Sequence, residues 1–335
     1  MLENYSDIEI KKWISDNKIL FVTNSICQPG GTFLSSIRTY IDYIPVHNFI
    51  VIPGIRDNKP YYGLDVFLEL TGLSLSERIY KKFDYIVYID EDAFICDFKA
   101  LMEEFCLFME NDSYCLAGPQ DGGVFCHRNH AHYMINTFLS FWNVKLLRQS
   151  SDAQEFIDML NRIDVDKKNS YQTFINLLNE NSELREEVYT SADEMVDRVR
   201  KFREENFPNG ETAYSETVKN DPDNPIEPHQ IPYSYKDYEE HTNFEPYYII
   251  EQAYVLLTKK PIKYMFATDY YDSKLSDEET DNSGLTSAIY SNDDSHKLIA
   301  VHTWFARAYS RWPLVELHLV HTKRINKIIK RFGKL

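Results

Sequence analysis

The chain has 335 residues, of which 43% are hydrophobic, and this is enough apolar material for one large α/β domain with a buried core. The 52 acidic residues outnumber the 36 basic ones, and the net charge of -16 disfavours a nucleic-acid-binding protein because it repels the phosphate backbone. Residues 1–18 are charged throughout, and no later apolar run approaches the roughly twenty residues that span a bilayer, so we expect a cytoplasmic protein.

The sequence up to residue 118 alternates between strand-like and helix-like patterns. Apolar, β-branched runs predict buried strands, which are separated by segments with helical periodicity and by a proline-glycine turn. The predicted elements are a strand over 18–24, a turn over 28–31, a helix over 32–43 with Thr32 as its N-cap, a strand over 47–53, a helix over 73–82, a strand over 83–89, a helix over 97–109 and a strand over 114–118. This order is typical of a mainly parallel central sheet with helices on both faces, whose ligands bind beyond the carboxyl ends of the strands.

An acidic pair directly follows the strand predicted over 83–89. Side chains alternate along a strand, so we expect Asp90 and Asp92 to lie on one side and Glu91 on the other. Two carboxylates that converge in this way can bind one hard divalent cation. The pattern therefore predicts a metal site at the end of this strand.

The second half of the chain is less regular in pattern. Residues 151–205 are polar with apolar positions at helical spacing, and we interpret them as a helical insertion. Residues 208–242 are rich in proline and acidic residues, which predicts an ordered loop or lid. Strands are predicted to return at 247–257 and 298–301.

The C-terminal segment, residues 313–335, has a helical period and reverses the sign of the charge. Its basic residues stand against the single acid Glu316, and they are Lys323, Arg324, Lys327, Lys330, Arg331 and Lys334. Such a helix either adsorbs to an anionic membrane surface, where each cation contributes on the order of 1 kcal/mol, or is solvated and complements its own dipole. Both interpretations are open at the level of sequence, and the first implies peripheral association with the inner membrane face.

The acidic pair, in a chain that begins with a strand and a glycine turn, resembles the DxD motif of the GT-A glycosyltransferases over residues 18–121. This resemblance implies a GT-A-like fold and a divalent metal, Mn²⁺ or Mg²⁺, that bridges the two phosphates of a nucleotide sugar and assists departure of the diphosphate. It also implies that Asp92 binds the metal directly and that Asp90 binds the metal through water or binds the ribose. Glu91, which points away, is expected either to support the metal ligands or to be structural.

The same resemblance implies three further ligand-binding residues. His302 follows the predicted strand over 298–301, where such enzymes carry a third metal ligand, and the alternative is a histidine packed against Trp304. Thr23 and Asn24, at the end of the first strand, are expected to contact the base and ribose of the nucleotide.

Three carboxylates are candidates for the acceptor side. The PQDGG loop at 119–123 is similar to a loop of bacterial glycosyltransferases of cell-surface polysaccharide synthesis, so Asp121 either binds sugar hydroxyls or caps its own loop. A base that takes the acceptor proton must be ionised at neutral pH, and Glu251 is the first choice and Glu245 the second because both lie among aromatic residues suited to sugar rings. A structural role is an equal alternative for each of these glutamates.

We therefore expect a hexosyltransferase that moves a sugar from a nucleoside-diphosphate donor such as UDP-hexose to a glycan or lipid-linked acceptor in cell-surface polysaccharide synthesis. The alternatives are a nucleotidyltransferase or metal-dependent phosphohydrolase that uses the same acidic pair, and a non-catalytic carbohydrate-binding protein. A metal-independent GT-B enzyme explains neither the acidic pair nor the lack of a second glycine-rich strand-turn-helix unit.

Four regions are expected along the chain. They are a nucleotide-sugar-binding α/β core over 1–150, the helical insertion over 151–206, an acceptor-side region that returns to the core sheet over 207–312, and the basic C-terminal helix over 313–335.

Overall fold

The computed structural model describes residues 2, 4–25, 32–53, 64–73, 82–125, 131–163, 170–206, 247–269, 286–303 and 326–333. Glu245, the predicted lid over 208–242, the turn over 28–31 and most of the helix predicted over 73–82 lie outside the described residues.

The described chain alternates between strands and helices as far as Trp142, and then continues with a run of helices followed by a run of strands. The helices are α1 (Asp7–Asp16), α2 (Thr32–Ile37), α3 (Leu64–Thr71), α4 (Phe98–Met109), α5 (Val144–Ser150), α6 (Ala153–Ile163), α7 (Ser170–Asn179), α8 (Ser182–Asn206) and α9 (Tyr248–Thr258), with a C-terminal helix over 326–332. The strands are β1 (Ile19–Ser25), β2 (Phe49–Pro53), β3 (Tyr85–Ile89), β4 (Ala93–Ile95), β5 (Leu116–Pro119), β6 (Leu139–Trp142), β7 (Ile262–Met265), β8 (Ala267–Asp269), β9 (Thr286–Tyr290) and β10 (Leu298–Thr303).

Within the described residues, the larger sheet has six strands in the order β2-β1-β3-β6-β5-β7. The pairs β1–β2, β1–β3 and β5–β7 are parallel, while β6 runs antiparallel to both of its neighbours, β3 and β5. Strands buried on both faces contain continuous apolar runs, which is why β1 and β3 were recognisable in the sequence. The expected α/β class is confirmed, and the sheet is mixed with a parallel majority.

The smaller sheet is antiparallel, and the part of the chain that the structure describes contributes four strands to it, in the order β4-β10-β9-β8. Strand β4 begins at Ala93, four positions after β3 ends at Ile89, so residues 90–92 form the passage from the larger sheet to the smaller one. Strand β10 lies next to β4 and places His302 opposite Ala93. The acidic turn and the histidine are therefore brought together by strand pairing across the smaller sheet.

Helix α4 fixes this smaller sheet to the rest of the molecule. The side chain of Asp97 caps α4 by accepting from the Ala100 N–H at 3.0 Å, and it pairs with Lys297 Nζ at 2.8 Å. Burial opposes ionisation of Asp97, but the hydrogen bonds from Lys297 and Ala100 outweigh it and hold the pKa of Asp97 below its ordinary value of 3.8. Further along α4, Glu104 accepts from the backbone N–H and the side-chain amide of Asn292 at 2.8 and 3.0 Å.

Two predicted elements differ from the structure. The segment predicted as a strand over 247–257 is helix α9, and that prediction was wrong because an apolar run buried on most sides has no periodicity that separates a strand from a helix. The helix predicted over 32–43 ends at Ile37 and is followed by a 3₁₀ turn at Ile41–Tyr43. The helical character predicted for 151–205 is confirmed by α6, α7 and α8.

The C-terminal helix is described over 326–332. Ile328 and Ile329 are buried in the main hydrophobic core, and Lys330 and Arg331 are exposed. Among the helices of the described residues, none combines the length and the apolar character that crossing a membrane requires.

Candidate metal centre

The acidic residues 90–92 form a turn that is anchored at both ends by backbone hydrogen bonds. The Asp90 N–H donates to the Phe138 carbonyl at 2.8 Å, and the Thr303 N–H donates to the Asp92 carbonyl at 3.2 Å. The Ala93 N–H donates to the Asp90 carbonyl at 3.1 Å and closes the turn. The Asp90 and Asp92 carboxylates converge, as predicted. The predicted cause was wrong, because a turn and not the alternation of side chains along a strand brings them together.

Asp90, Asp92 and His302 each offer a ligand atom, and these three atoms lie within 4.8 Å of one another. His302 Nε2 is 3.1 Å from Asp92 Oδ1, and both residues are at most 5% exposed. Asp90 is only partly buried, so it forms the more accessible side of the group. Glu91 is fully buried and does not belong to the group. The structure thus brings together the three residues predicted as metal ligands.

This set of donor atoms suits a divalent cation. Two carboxylates and one imidazole provide oxygen and nitrogen ligands, a combination that manganese, magnesium, iron and zinc accept to different degrees. Two carboxylates held this close in a partly buried place repel each other, and a cation between them would remove that repulsion. The residues therefore fit a metal ion, and their chemistry alone does not select one metal.

The end of β1 lies beside this group. Thr23 pairs with Ile89 across the parallel β1–β3 ladder, so the carboxyl ends of the two strands lie side by side as expected. Thr23 and Asn24 are at most 2% exposed, and their predicted contact with a nucleotide stays a prediction.

Tyr40 and Ser36 lie close to the acidic turn. Burial raises the pKa of the Tyr40 hydroxyl well above the ordinary value, and the nearby charge of Asp90 adds to this rise. The Ser36 hydroxyl also donates to the carbonyl of Ala93, at the start of β4. Helix α2 thus supports the acidic turn from the side of β1.

Asp121 is fully buried and bound by other protein groups. Its Oδ1 accepts from Asn136 Nδ2 at 2.6 Å, and its Oδ2 accepts from the hydroxyls of Tyr247, at 2.9 Å, and Tyr248. These hydrogen bonds favour a structural role for Asp121 in its loop, and its contact with sugar hydroxyls stays a prediction.

Glu251 occupies the first turn of α9 and is also fully buried. Its Oε2 accepts from the Ile135 N–H at 3.2 Å, in the same β5–β6 connection that holds Asn136. Its role as a base stays a prediction, as does that of Glu245 outside the described residues.

Two residues that the sequence did not suggest share a row with His302. In the smaller sheet, His302 lies opposite Ser287 on β9, and Ser287 lies opposite Asp269 on β8. Residues directly opposite in an antiparallel ladder have side chains on the same face, so all three lie on the face of the metal group. Asp269 is fully buried, and Arg203 Nη2 of α8 lies 3.5 Å from its Oδ2. The sequence alone does not show how strands pair, so it could not predict that these three residues lie in one row.

No protein-family model and no curated protein matches the sequence of this chain. The fold and the site together define an α/β protein with a mixed six-stranded sheet and a largely buried Asp-Asp-His group that could bind a metal ion.

Proposed function

We propose that the protein is a metal-dependent glycosyltransferase that moves a hexose from a nucleoside diphosphate such as UDP to a glycan or lipid-linked acceptor of cell-surface polysaccharide synthesis. The observation that carries this proposal is the convergence of Asp90, Asp92 and His302 at the carboxyl end of β3. The resemblance of the acidic pair to the DxD motif, in an α/β chain whose β1 and β3 are parallel, supports the GT-A form of this activity.

The metal group has one closed and one open side, and this supports distinct roles for its members. Asp92 and His302 are buried, so we assign them as direct ligands, preferably of Mn²⁺. Asp90 is partly exposed, which suits contact with a ribose or with metal-bound water. A bound divalent cation would neutralise charge on the departing diphosphate.

Substrate hydroxyls need polar partners on the other side of the sugar. Ser287 and Asp269 lie on the face of His302, at one and two strand spacings, so Asp269 is about 10 Å from the histidine across the sheet. Both side chains are fully buried and Asp269 lies 3.5 Å from Arg203, so, like Asp121, they fit a structural role better than contact with a sugar. We retain Glu251, ahead of Glu245, as the group that accepts the acceptor proton.

Thermal unfolding with Mn²⁺, with UDP and with both tests this proposal, because a ligand that binds only the folded state raises the unfolding temperature. We expect UDP to stabilise the wild type in the presence of Mn²⁺ and to have little effect without it. Asp92→Asn should lose this response while keeping its fold. Asp16→Asn, the same exchange at an exposed position of α1, should respond like the wild type.

A panel of UDP- and other nucleotide sugars, assayed for release of the nucleotide with and without a glycan acceptor, then identifies the donor. An equal metal-dependent UDP response in Asp92→Asn would contradict the assignment of the metal group. Metal-dependent cleavage of nucleoside triphosphates or phosphoesters, with no response to nucleotide sugars, would assign the same group to nucleotidyl transfer or phosphoester hydrolysis instead.

A further inference from the structure

Both sides of the metal group meet at one residue, Phe138, which directly precedes β6. Its ring stacks on the imidazole of His302 with centroids 4.4 Å apart and planes inclined by only 4°. Its carbonyl oxygen accepts the Asp90 N–H at 2.8 Å. One residue therefore contacts the imidazole through its side chain and the acidic turn through its main chain, and it is 1% exposed.

We propose that Phe138 is a positioning residue of the metal group, which sets the plane of the His302 ring and the place of Asp90. This inference rests on the proposed function only in that it requires Asp90, Asp92 and His302 to bind a divalent metal. It does not depend on the donor sugar, the nucleotide or the acceptor.

The stacking geometry gives the physical reason for the first part of this role. The torsion that turns a histidine ring is broad, so the backbone alone does not define where Nε2 points. A second ring parallel to the imidazole blocks that rotation, because a turned imidazole would collide with the face of Phe138. The nitrogen is then held towards Asp92 Oδ1, which lies 3.1 Å away.

Phe138 is itself held by a chain of buried hydrogen bonds. The Phe138 N–H donates to Asn136 Oδ1 at 3.2 Å, and Asn136 Nδ2 donates to Asp121 Oδ1 at 2.6 Å. The other oxygen of Asp121 accepts from the hydroxyls of Tyr247 and Tyr248, where α9 begins. This chain explains why a carboxylate without exposed surface sits in the loop after β5: it supports the residue that positions the metal ligands.

A residue that only filled the core would affect stability and leave metal geometry unchanged, and a matched pair of variants separates the two roles. Phe138→Leu removes the stacking ring. Phe141→Leu makes the same exchange three positions along, in β6, where the ring packs on Phe105 at 4.9 Å and is also fully buried. Phe138→Tyr keeps a ring that can stack on His302.

The measurements are Mn²⁺ affinity, from the electron paramagnetic resonance signal of the free ion, and the visible spectrum of bound Co²⁺, which reports ligand geometry. We expect Phe138→Leu to bind Mn²⁺ about tenfold more weakly and to change the Co²⁺ spectrum, as loss of groups that orient metal ligands typically does. Phe141→Leu should lower stability but keep the wild-type Mn²⁺ affinity and Co²⁺ spectrum. Phe138→Tyr should also keep both of these metal-binding properties.

Wild-type affinity and spectrum in Phe138→Leu would overturn the proposal, as would an equal loss in Phe141→Leu. Should Phe138→Leu not fold, Phe138→Met and Phe141→Met give the same comparison, since the flexible methionine adapts better to a core. A wild type that binds neither Mn²⁺ nor Co²⁺ would overturn the metal group itself, and the positioning role with it.

Discussion

His302 is held on both sides by neighbouring strands, which matters because a ligand that needs no ordering binds a metal at lower cost. It pairs with Ala93 on β4 and with Ser287 on β9, and it is 5% exposed. With the ring stacked on Phe138, the rotamer freedom that binding would otherwise remove is already restricted. We therefore expect His302 to act as a rigid ligand.

Replacing this histidine tests its role at the scale of the residue. We expect His302→Asn to lower Mn²⁺ affinity by at least about tenfold, because one of three protein ligands is lost. His296 is a matched control in the turn before β10, where its ring stacks on Phe266 at 4.6 Å and its positive φ of 43° suits asparagine. Titration calorimetry with Mn²⁺ should give the wild-type affinity for His296→Asn, and an equal loss in both variants would contradict a specific ligand role.

The residues of the metal group could be predicted because their chemistry is visible in the sequence. Asp90 and Asp92 are acids one residue apart after an apolar run, and His302 follows another apolar run. Phe138 and Asn136 could not be predicted, because a buried phenylalanine and a backbone carbonyl show no chemical signal until the fold brings them to the histidine and the acidic turn.

At the scale of elements, Asp112 ties the end of α4 to β3 and to the region after β6. It accepts from the Tyr85 hydroxyl and from Asn143 Nδ2, each at 3.1 Å, and it pairs with Lys145 Nζ at 2.5 Å. Partial burial opposes its ionisation, but the hydrogen bonds from Lys145 and Asn143 outweigh it and lower the pKa of Asp112 below 3.8.

The lowered pKa gives a pH-dependent stability of known sign. Because the folded state favours the ionised Asp112, its contribution is present above the ordinary pKa of 3.8 and is lost as the pH falls through the lower folded value. Asp112→Asn, which tolerates the positive φ of 49°, should lower the free energy of unfolding by about 1 kcal/mol at neutral pH. Urea denaturation should show this difference narrowing in acid below about pH 4, and a difference that stays constant with pH would contradict the explanation.

Sequence patterns predicted elements unequally well. The strands β1 and β3 were recognisable as short runs of aliphatic and aromatic residues, whereas α9 has a similar composition and was mistaken for a strand. Helix α9 is buried around most of its surface, including Glu251 and Gln252, so polar residues do not mark one face of it. Burial on all sides removes the periodic signal on which such a prediction depends.

At the scale of the molecule, the site depends on the junction of two sheets, which no local pattern encodes. The order β2-β1-β3-β6-β5-β7 and the antiparallel direction of β6 result from long-range pairing, and so does the adjacency of β4 and β10. His302 and Asp92 are 210 positions apart in the chain, yet they are in contact because β10 returns to pair with β4. A motif in one sequence could suggest these ligands, but only the fold shows that they meet.

The C-terminal helix was predicted either to adsorb to a membrane or to be a solvated part of the folded protein. Ile328 and Ile329 are buried, at 4% and 7% exposure, among the residues of the main hydrophobic core, while the neighbouring Lys330 is exposed. A membrane-adsorbed helix would need that apolar side free for the lipid. This packing favours the interpretation in which the helix is part of the folded core and exposes its lysines to solvent.

We therefore expect Ile329→Ala to lower the free energy of unfolding by about 2–5 kcal/mol, the usual cost of removing a buried isoleucine side chain. Lys330→Ala, at the next and exposed position, should stay within about 0.5 kcal/mol of the wild type. Urea unfolding measures the stability of each variant, and co-sedimentation with phosphatidylserine vesicles measures its membrane binding. If Ile329→Ala instead lost vesicle binding with unchanged unfolding, the isoleucines would belong to a membrane-facing surface, because the apolar contact they provide would then be with lipid and not with the core.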